Sequence, residues 1–276
     1  MADVRVVATI FPVADLVRQI GGDAVQVTTL LPAGASPHTF EPAPEQVRAV
    51  ARAAVFVEVG AGLDTWAEKL RAAKSGPLAV VTLTAGLPLL QAAPEHGDAH
   101  GVTASGGDPH VWLDPILVRD HCVPVMLRAL IQADPARQAQ FQQGAGNLAA
   151  ALTRLDRDIR AALAAVTNRN YVAFHAAWRY FGKRYELHEV AVVESFPGKE
   201  PSAREVAAVI AHARAASVRA VLIEPQFMPR MAEQIAHEIG AHLAVVDPLG
   251  GPDLPGRSHY LDLMRYDVQA LAKALR

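Results

Sequence analysis

Three histidines and one aspartate of this 276-residue chain stand in motifs that could provide a metal site. The motifs are Ser-Pro-His-Thr-Phe-Glu-Pro around His38, Asp-Pro-His-Val-Trp-Leu-Asp-Pro around His110, Phe-His at His175 and Val-Val-Asp-Pro-Leu-Gly around Asp247. Imidazole nitrogens and a carboxylate suit a borderline divalent ion such as zinc, and four such ligands complete a tetrahedral shell. Each residue alone also fits an ordinary place in a turn, a loop or the core. The metal hypothesis therefore depends on the fold bringing all four together.

The first half of the sequence alternates short apolar runs with amphipathic segments. The runs predict buried strands and the segments between them predict helices, which is typical of a parallel sheet covered on both faces. The predicted strands are Val4–Ala8, Val25–Leu31, Ala54–Val59 and Leu78–Thr82, and the predicted helices are Val13–Ile20, Glu45–Ala53, Leu63–Ala73 and, further along, Ile116–Ile131.

Apolar residues recur at three- and four-residue steps between Pro135 and about Val166, which predicts one long helix. At 1.5 Å per residue this helix would be about 45 Å long, longer than one small domain is wide. Gly144 and Gly146 weaken the helix locally and could mark a bend. We interpret the segment as a rigid strut between two lobes.

A second alternating region follows the strut. It predicts four strands, at Tyr171–Phe174, Val190–Val193, Ala220–Ile223 and His242–Val246, with helices between and after them. The sequence therefore predicts an α/β protein of two similar lobes, each with a central, mainly parallel sheet flanked by helices, joined by one long rigid helix. The expected domains are residues 1–134 and 168–276, with the interlobe helix at 135–167.

The four candidate ligands fall near the ends of these predicted elements. His38 follows the second strand, His175 ends the first strand of the second lobe, and Asp247 ends the last strand. His110 opens the apolar run after a loop rich in Gly, Asp and His. Open α/β sheets bind ligands at the carboxyl ends of their strands. Successive candidates are 65 to 72 residues apart, about two strand-helix units, so two would come from each lobe.

Composition excludes several classes of protein. The chain is 51% hydrophobic and 20% charged with a formal net charge of -2, so it lacks the basic character of a nucleic-acid binder. Cys122 is the only cysteine, which rules out an intrachain disulfide and a thiolate metal cluster. No apolar run approaches the roughly 20 residues that span a bilayer. The first residues lead into a predicted strand without the features of a signal peptide, so they predict no compartment.

These motifs, together with Glu224-Pro-Gln after an apolar strand, resemble the ZnuA/TroA-like family of zinc- and manganese-specific solute-binding proteins of ABC transporters. The similarity spans nearly the whole chain in the expected order, and the two Pro-His motifs are its most specific parts. The resemblance implies that the long helix is the interlobe backbone. It also implies that the metal ligands are His38, His110, His175 and Asp247.

The same resemblance implies a function. The protein would capture Zn²⁺, or alternatively Mn²⁺, in the periplasm or at the cell surface and deliver it to the membrane permease of an ABC transporter. Under this interpretation the chain is not an enzyme, binds no nucleic acid and acts as a monomer.

The segment from Gly86 to Pro109 lacks periodicity and predicts a mobile loop. It carries His96 and His100, which we expect to form an auxiliary metal-collecting loop, because a flexible segment loses conformational entropy when it closes on an ion. Many zinc-specific relatives carry a longer tract rich in histidine and acidic residues. The short loop therefore leaves Mn²⁺ as an alternative to Zn²⁺.

Two other functions compete with metal capture. A zinc hydrolase also uses histidine and carboxylate ligands, but His237-Glu238 lacks the second histidine of the His-Glu-x-x-His motif. A binder of cobalamin or of another metal chelate would share the two lobes on a long helix. Its cleft would be lined by aromatic residues, which make up 6% of this chain.

Overall fold

The computed structural model describes residues 3–91, 107–194, 198 and 200–276. Its first sheet has four parallel strands, β1 (Val4–Ala8), β2 (Val25–Thr29), β3 (Val55–Glu58) and β4 (Ala79–Thr82), in the order β2-β1-β3-β4. The connecting helices are α1 (Phe11–Gly21), α2 (Pro44–Arg52) and α3 (Trp66–Ala72). Val6 packs with α1 on one face of the sheet, and Val7 packs with α2 and α3 on the other. Valine suits these strands because its branched side chain packs well on a sheet covered on both faces.

The chain from residue 111 to residue 163 is almost entirely helical. A 3-10 turn (Val111–Leu113) precedes α4 (Pro115–Leu117), a π-helical turn (Val118–Cys122), α5 (Val123–Ala133), a second 3-10 turn (Pro135–Arg137) and the long α6 (Gln138–Leu163). The buried residues of α6 are Phe141, Ala145, Leu148, Leu152, Leu155, Ile159 and Leu163. Their spacing of three and four residues keeps one apolar face turned to the core along the whole helix.

Gly144 lets α6 lie directly against the end of α1. A Cβ atom at position 144 would be 2.2 Å from the carbonyl oxygen of Ile20, whereas one at Gly146 would meet nothing within 4 Å. The helix continues through both glycines. Close packing between two helices therefore explains Gly144.

The second sheet repeats the topology of the first. Its parallel strands are β5 (Asn170–Ala173), β6 (His188–Val192), β7 (Ala220–Ile223) and β8 (His242–Val245), in the order β6-β5-β7-β8. The helices of this region are α7 (Arg179–Tyr185), α8 (Ala203–Ala215), α9 (Pro229–Ile239) and α10 (Tyr260–Ala274).

Hydrogen bonds and a shared core join the two lobes. The indole N–H of Trp112 donates to the carbonyl oxygen of Pro248 at 2.7 Å, and the hydroxyl of Tyr260 donates to the carbonyl oxygen of Trp112 at 2.6 Å. The backbone N–H of Tyr260 also donates to Asp15 in α1 at 2.7 Å. One hydrophobic cluster contains residues of β1, α6, β7 and α10. The lobes therefore pack as one body around α6.

The predicted fold class is confirmed, with differences at the ends of elements. The strand predicted at Tyr171–Phe174 ends at Ala173, so His175 lies two residues beyond it. The helix predicted at Ile116–Ile131 contains the π-helical turn, because Pro124 has no backbone N–H to donate to the preceding turn. Among the described residues, no helix combines the length and the apolar character needed to cross a membrane.

Candidate metal centre

The imidazole rings of His38, His110 and His175 converge where the two lobes meet. The ring centroid of His38 lies 5.6 Å from that of His110 and 4.9 Å from that of His175. The centroids of His110 and His175 are 5.0 Å apart. One ring nitrogen from each residue lies within 4.8 Å of the other two. In the described ranges, no other three His, Cys, Asp or Glu side chains come together in this way. The structure therefore unites three of the four predicted ligands.

Asp108 orients His110. One carboxylate oxygen, Oδ1, lies 2.8 Å from Nδ1 of the ring and accepts a hydrogen bond from the backbone N–H of the same histidine at 2.9 Å. The carbonyl oxygen of Asp108 accepts a further bond from the hydroxyl of Tyr180 at 3.1 Å. Because Asp108 engages Nδ1, the other nitrogen, Nε2, is left for an ion, an arrangement common around zinc-bound histidines.

Glu224 orients His175 in the same way. Its carboxylate oxygens lie 3.2 and 3.4 Å from Nδ1 of His175, and Gln226 donates its side-chain N–H to the same carboxylate. Burial alone would lower the pKa of the His175 imidazole, but the negative charge of Glu224, with weaker contributions from Asp108 and Glu194, outweighs burial and raises that pKa. Both residues are buried because they follow neighbouring strands, β5 and β7.

His38 lies on the loop after β2, which Trp66 holds in place. The indole N–H of Trp66 donates to the carbonyl oxygen of Pro37 at 2.9 Å, and its ring packs edge-on against Phe40 at 4.9 Å. Burial and the nearby rings of His175 and His110 lower the pKa of His38 to about 2. Its Nε2 atom is shielded from water and, within the part of the chain that the structure describes, has no hydrogen-bond partner. A neutral imidazole with an unused nitrogen is a group that a cation would satisfy.

Asp247 lies just beyond β8, but its oxygens are outside the group of converging nitrogens. Oδ1 accepts backbone hydrogen bonds from Leu249 at 3.0 Å and Gly250 at 2.9 Å, and Oδ2 lies 2.9 Å from Nη1 of Arg257. The backbone N–H of Asp247 donates to the carboxylate of Asp267 at 2.7 Å. Burial raises the pKa of Asp267 well above its usual range. The assignment of Asp247 as a ligand stays a prediction. His96 and His100 lie outside the described residues, so their auxiliary role also stays a prediction.

Sequence reasoning missed the supporting roles of Asp108, Glu224 and Arg257. Asp108 had a signal, since it stands two residues before His110 in a stiff Asp-Pro-His motif. Glu224 also had one, because it follows an apolar strand. No sequence signal pointed to Arg257, since its contact with Asp247 depends on the path of the loop between them. Three imidazoles, two of them backed by carboxylates, form a nitrogen-rich site that suits zinc.

Three comparisons relate this chain to known proteins. The model of the family described as zinc-uptake complex component A, periplasmic (ZnuA), matches residues 6–274. The zinc-binding protein AdcA of Streptococcus pyogenes serotype M3 is 27% identical over 286 residues, which cover 97% of this chain and 55% of that protein. The high-affinity zinc uptake system protein ZnuA of Bacillus subtilis is 26% identical over 279 residues, covering 98% and 87%. The chain thus spans about half the length of AdcA and most of the length of ZnuA.

Solved structures share the fold. A crystal structure of ZnuA superposes with a TM-score of 0.86 at 29% identity, covering 99% of this chain and all of that one (100%). The manganese-bound periplasmic metal binding protein from Candidatus Liberibacter asiaticus gives a TM-score of 0.87 at 18% identity, covering 99% and 100%. The second likeness concerns the fold alone.

Proposed function

Because the chain belongs to the ZnuA family, we propose that it captures one zinc ion between its two lobes and delivers it to the membrane permease of an ABC transporter. The observation that carries this proposal is the convergence of three imidazole nitrogens from both lobes, one of them the buried and unpartnered Nε2 of His38. In this function the ion is cargo, so the site must bind it tightly and later release it.

The proposed ligands are the three converging histidines and Asp247. His110 and His175 would bind through the ring nitrogens that their carboxylate partners leave free, and His38 through its unpartnered Nε2. Imidazole is a ligand that favours zinc over manganese. Asp247 would supply one anionic oxygen; its Oδ1 accepts from two backbone N–H groups and its Oδ2 from Arg257. A carboxylate has enough lone pairs to bind an ion beside such partners.

Because the chain belongs to a family of metal-binding solute-binding proteins, we favour metal capture over the hydrolase and chelate-binding hypotheses. Manganese is the second candidate ion, since Asp247 could add the oxygen donor that a harder ion prefers. We favour zinc because the group that the structure brings together is made of nitrogen donors. We also propose, from the family, that the protein acts in the periplasm or at the cell surface and that it delivers the ion to a permease.

A calorimetric titration of metal-stripped protein with zinc tests the proposal. We expect one tight site per chain in the parent and a loss of affinity of at least tenfold, about 1.4 kcal/mol, when His38 is changed to Ala. His237→Ala is the matched control, because His237 is exposed on α9 and should leave binding unchanged. A parent that binds no zinc, or a His38→Ala variant that binds like the parent, would contradict the proposal.

A further inference from the structure

Arg257 binds the carboxylate that the sequence predicts as the fourth ligand. Its Nη1 atom lies 2.9 Å from Oδ2 of Asp247, and the two form an ion pair of low exposure, with 5% of the Asp247 side chain and 19% of the Arg257 side chain accessible. A charge-assisted bond shielded from water is stronger than the same bond on an exposed surface. The negative charge of Asp247 is therefore largely compensated before any ion arrives.

Arg257 is held in place by α10 and by its own loop. Its guanidinium carbon lies 4.8 Å from the centre of the Tyr266 ring, which adds a cation–π contact. Its backbone N–H donates to the carbonyl oxygen of Leu254 at 2.9 Å, and its carbonyl oxygen accepts from the N–H of Gly251 at 3.2 Å. Gly250 has φ of 64°, and a Cβ atom there would lie 2.7 Å from the carbonyl oxygen of Arg257. The loop thus returns tightly onto Gly250 and presents Arg257 to Asp247.

This pairing should affect the binding of zinc and of manganese unequally. The three imidazoles are neutral ligands, so Asp247 is the anionic donor of the proposed set of four. Zinc gains much of its affinity from imidazole nitrogen, whereas manganese stands lower in the affinity order and depends more on carboxylate oxygen. A guanidinium beside that oxygen repels either cation and withdraws charge from the donor that manganese needs most.

We propose that Arg257 is a specificity-determining residue of the metal centre: by pairing with Asp247 it weakens the anionic oxygen donor and so favours zinc over manganese. Arg257 acts through Asp247 and is a positioning residue, not a ligand. The inference rests on the proposed function, since it concerns the choice between two ions at the same site.

Competitive titration of zinc and manganese against the Arg257→Gln variant tests the inference. We expect manganese affinity to rise on the order of tenfold as the carboxylate regains its charge, with a smaller rise for zinc, so that the ratio of the two affinities narrows. Arg257→Lys keeps the positive charge and should stay near the parental ratio. In an Asp247→Asn background, Arg257→Gln should no longer change the ratio, which a merely structural role of the arginine would not predict.

The chain offers a matched control. Arg71 pairs with the buried Glu58 at 3.1 Å and lies 6.0 Å above the ring of Phe56, so it repeats the ion pair and the ring contact outside the group of converging histidines. Arg71→Gln should leave the ratio of zinc to manganese affinity at the parental value. A change in this ratio as large as that caused by Arg257→Gln would show that breaking any buried ion pair of this kind alters metal selectivity. That result would overturn the inference.

A second variant covers the case in which Arg257→Gln does not fold. Tyr266→Leu removes the ring beneath the guanidinium without unpairing a buried carboxylate, and we expect a smaller shift of the ratio in the same direction. An unchanged ratio in both variants, in a parent that binds zinc tightly, would refute the role of Arg257 and leave the proposed function standing. A parent that binds neither ion would instead refute the proposed function.

Discussion

Nδ1 of His175 lies 3.2 Å from Oε1 of Glu224, although 49 residues separate the two in sequence. The contact exists because β5 and β7 are neighbouring parallel strands and both residues follow their carboxyl ends. The carboxylate fixes the orientation of the ring and would raise the basicity of the other ring nitrogen, the one that is free to bind an ion. Sheet topology, and not local sequence, thus builds this part of the centre.

Changing Glu224 to Gln should lower zinc affinity on the order of tenfold, because the amide keeps the size and one acceptor but loses the charge. Competition against a chelating dye measures the effect. Glu238→Gln is the control, since Glu238 is an exposed residue paired with Arg214 on the surface. Parental affinity in Glu224→Gln would mean that the carboxylate does not support the ligand.

Zinc affinity should fall as the pH is lowered, and His175 should dominate the fall. The pKa of this imidazole is raised above its ordinary value of 6.5, so below that raised pKa each ion must displace a proton. The logarithm of the apparent affinity then falls by about one per pH unit. His38, with a pKa of about 2, is already neutral and adds no such proton near neutrality.

Calorimetry in buffers of different ionisation enthalpy counts the protons released when zinc binds. In the Glu224→Gln variant the loss of the negative charge lowers the pKa of His175, so the fall in affinity should begin at a lower pH. Equal affinity and no proton release between about pH 8 and about pH 5 would contradict this assignment.

Gly144→Ala and Gly146→Ala should affect stability in opposite directions. A methyl group at position 144 would meet the backbone of Ile20 at 2.2 Å, so α1 and α6 must separate, at a cost of about 1 to 3 kcal/mol. At position 146 the methyl group meets nothing, and the better helix propensity of alanine should add up to about 1 kcal/mol. Urea unfolding measures both. Equal changes would show that helix packing does not explain Gly144.

The radius of gyration should be similar with and without zinc. A continuous α6 resists bending, and the hydrogen bonds of Trp112 with Pro248 and Tyr260 hold the lobes together, so large hinge closure is not expected. Small-angle scattering of both forms measures this. A clear compaction on addition of zinc would mean that the lobes separate in the metal-free protein.

Much of this architecture could be predicted from the sequence because its signals are local. The apolar runs of the strands and the spacing from Phe141 to Leu163 depend on one segment at a time. The histidines could be placed as well, since His38 lies on the loop after β2 and His175 two residues after β5, and the order of these strands is visible in the chain.

The remaining features depend on contacts between distant segments. A glycine is needed at position 144 only because the end of α1 packs against it. Asp247 pairs with Arg257 only because the loop between them folds back. A sequence pattern records neither the distance between two helices nor the direction of a side chain in a turn. The sequence therefore indicated the candidate donors but not the residues that contact them.

The bond between Asp15 and Tyr260 has a consequence for how the protein is made. Asp15 is 3% exposed and receives a backbone N–H from a residue 245 positions later. Gln19 in α1 also donates to this carboxylate at 2.7 Å, but its partners from the end of the chain, His259 and Tyr260, are missing until residue 260 has been synthesised. Since a buried carboxylate with fewer donors is less stable, we expect α1 to reach its final packing only then. Folding in the order of synthesis, which is common for domains, would stop short at this contact. We expect ribosome-stalled chains that end before residue 260 to leave α1 open to proteases, so that the first lobe is completed only by the last helix.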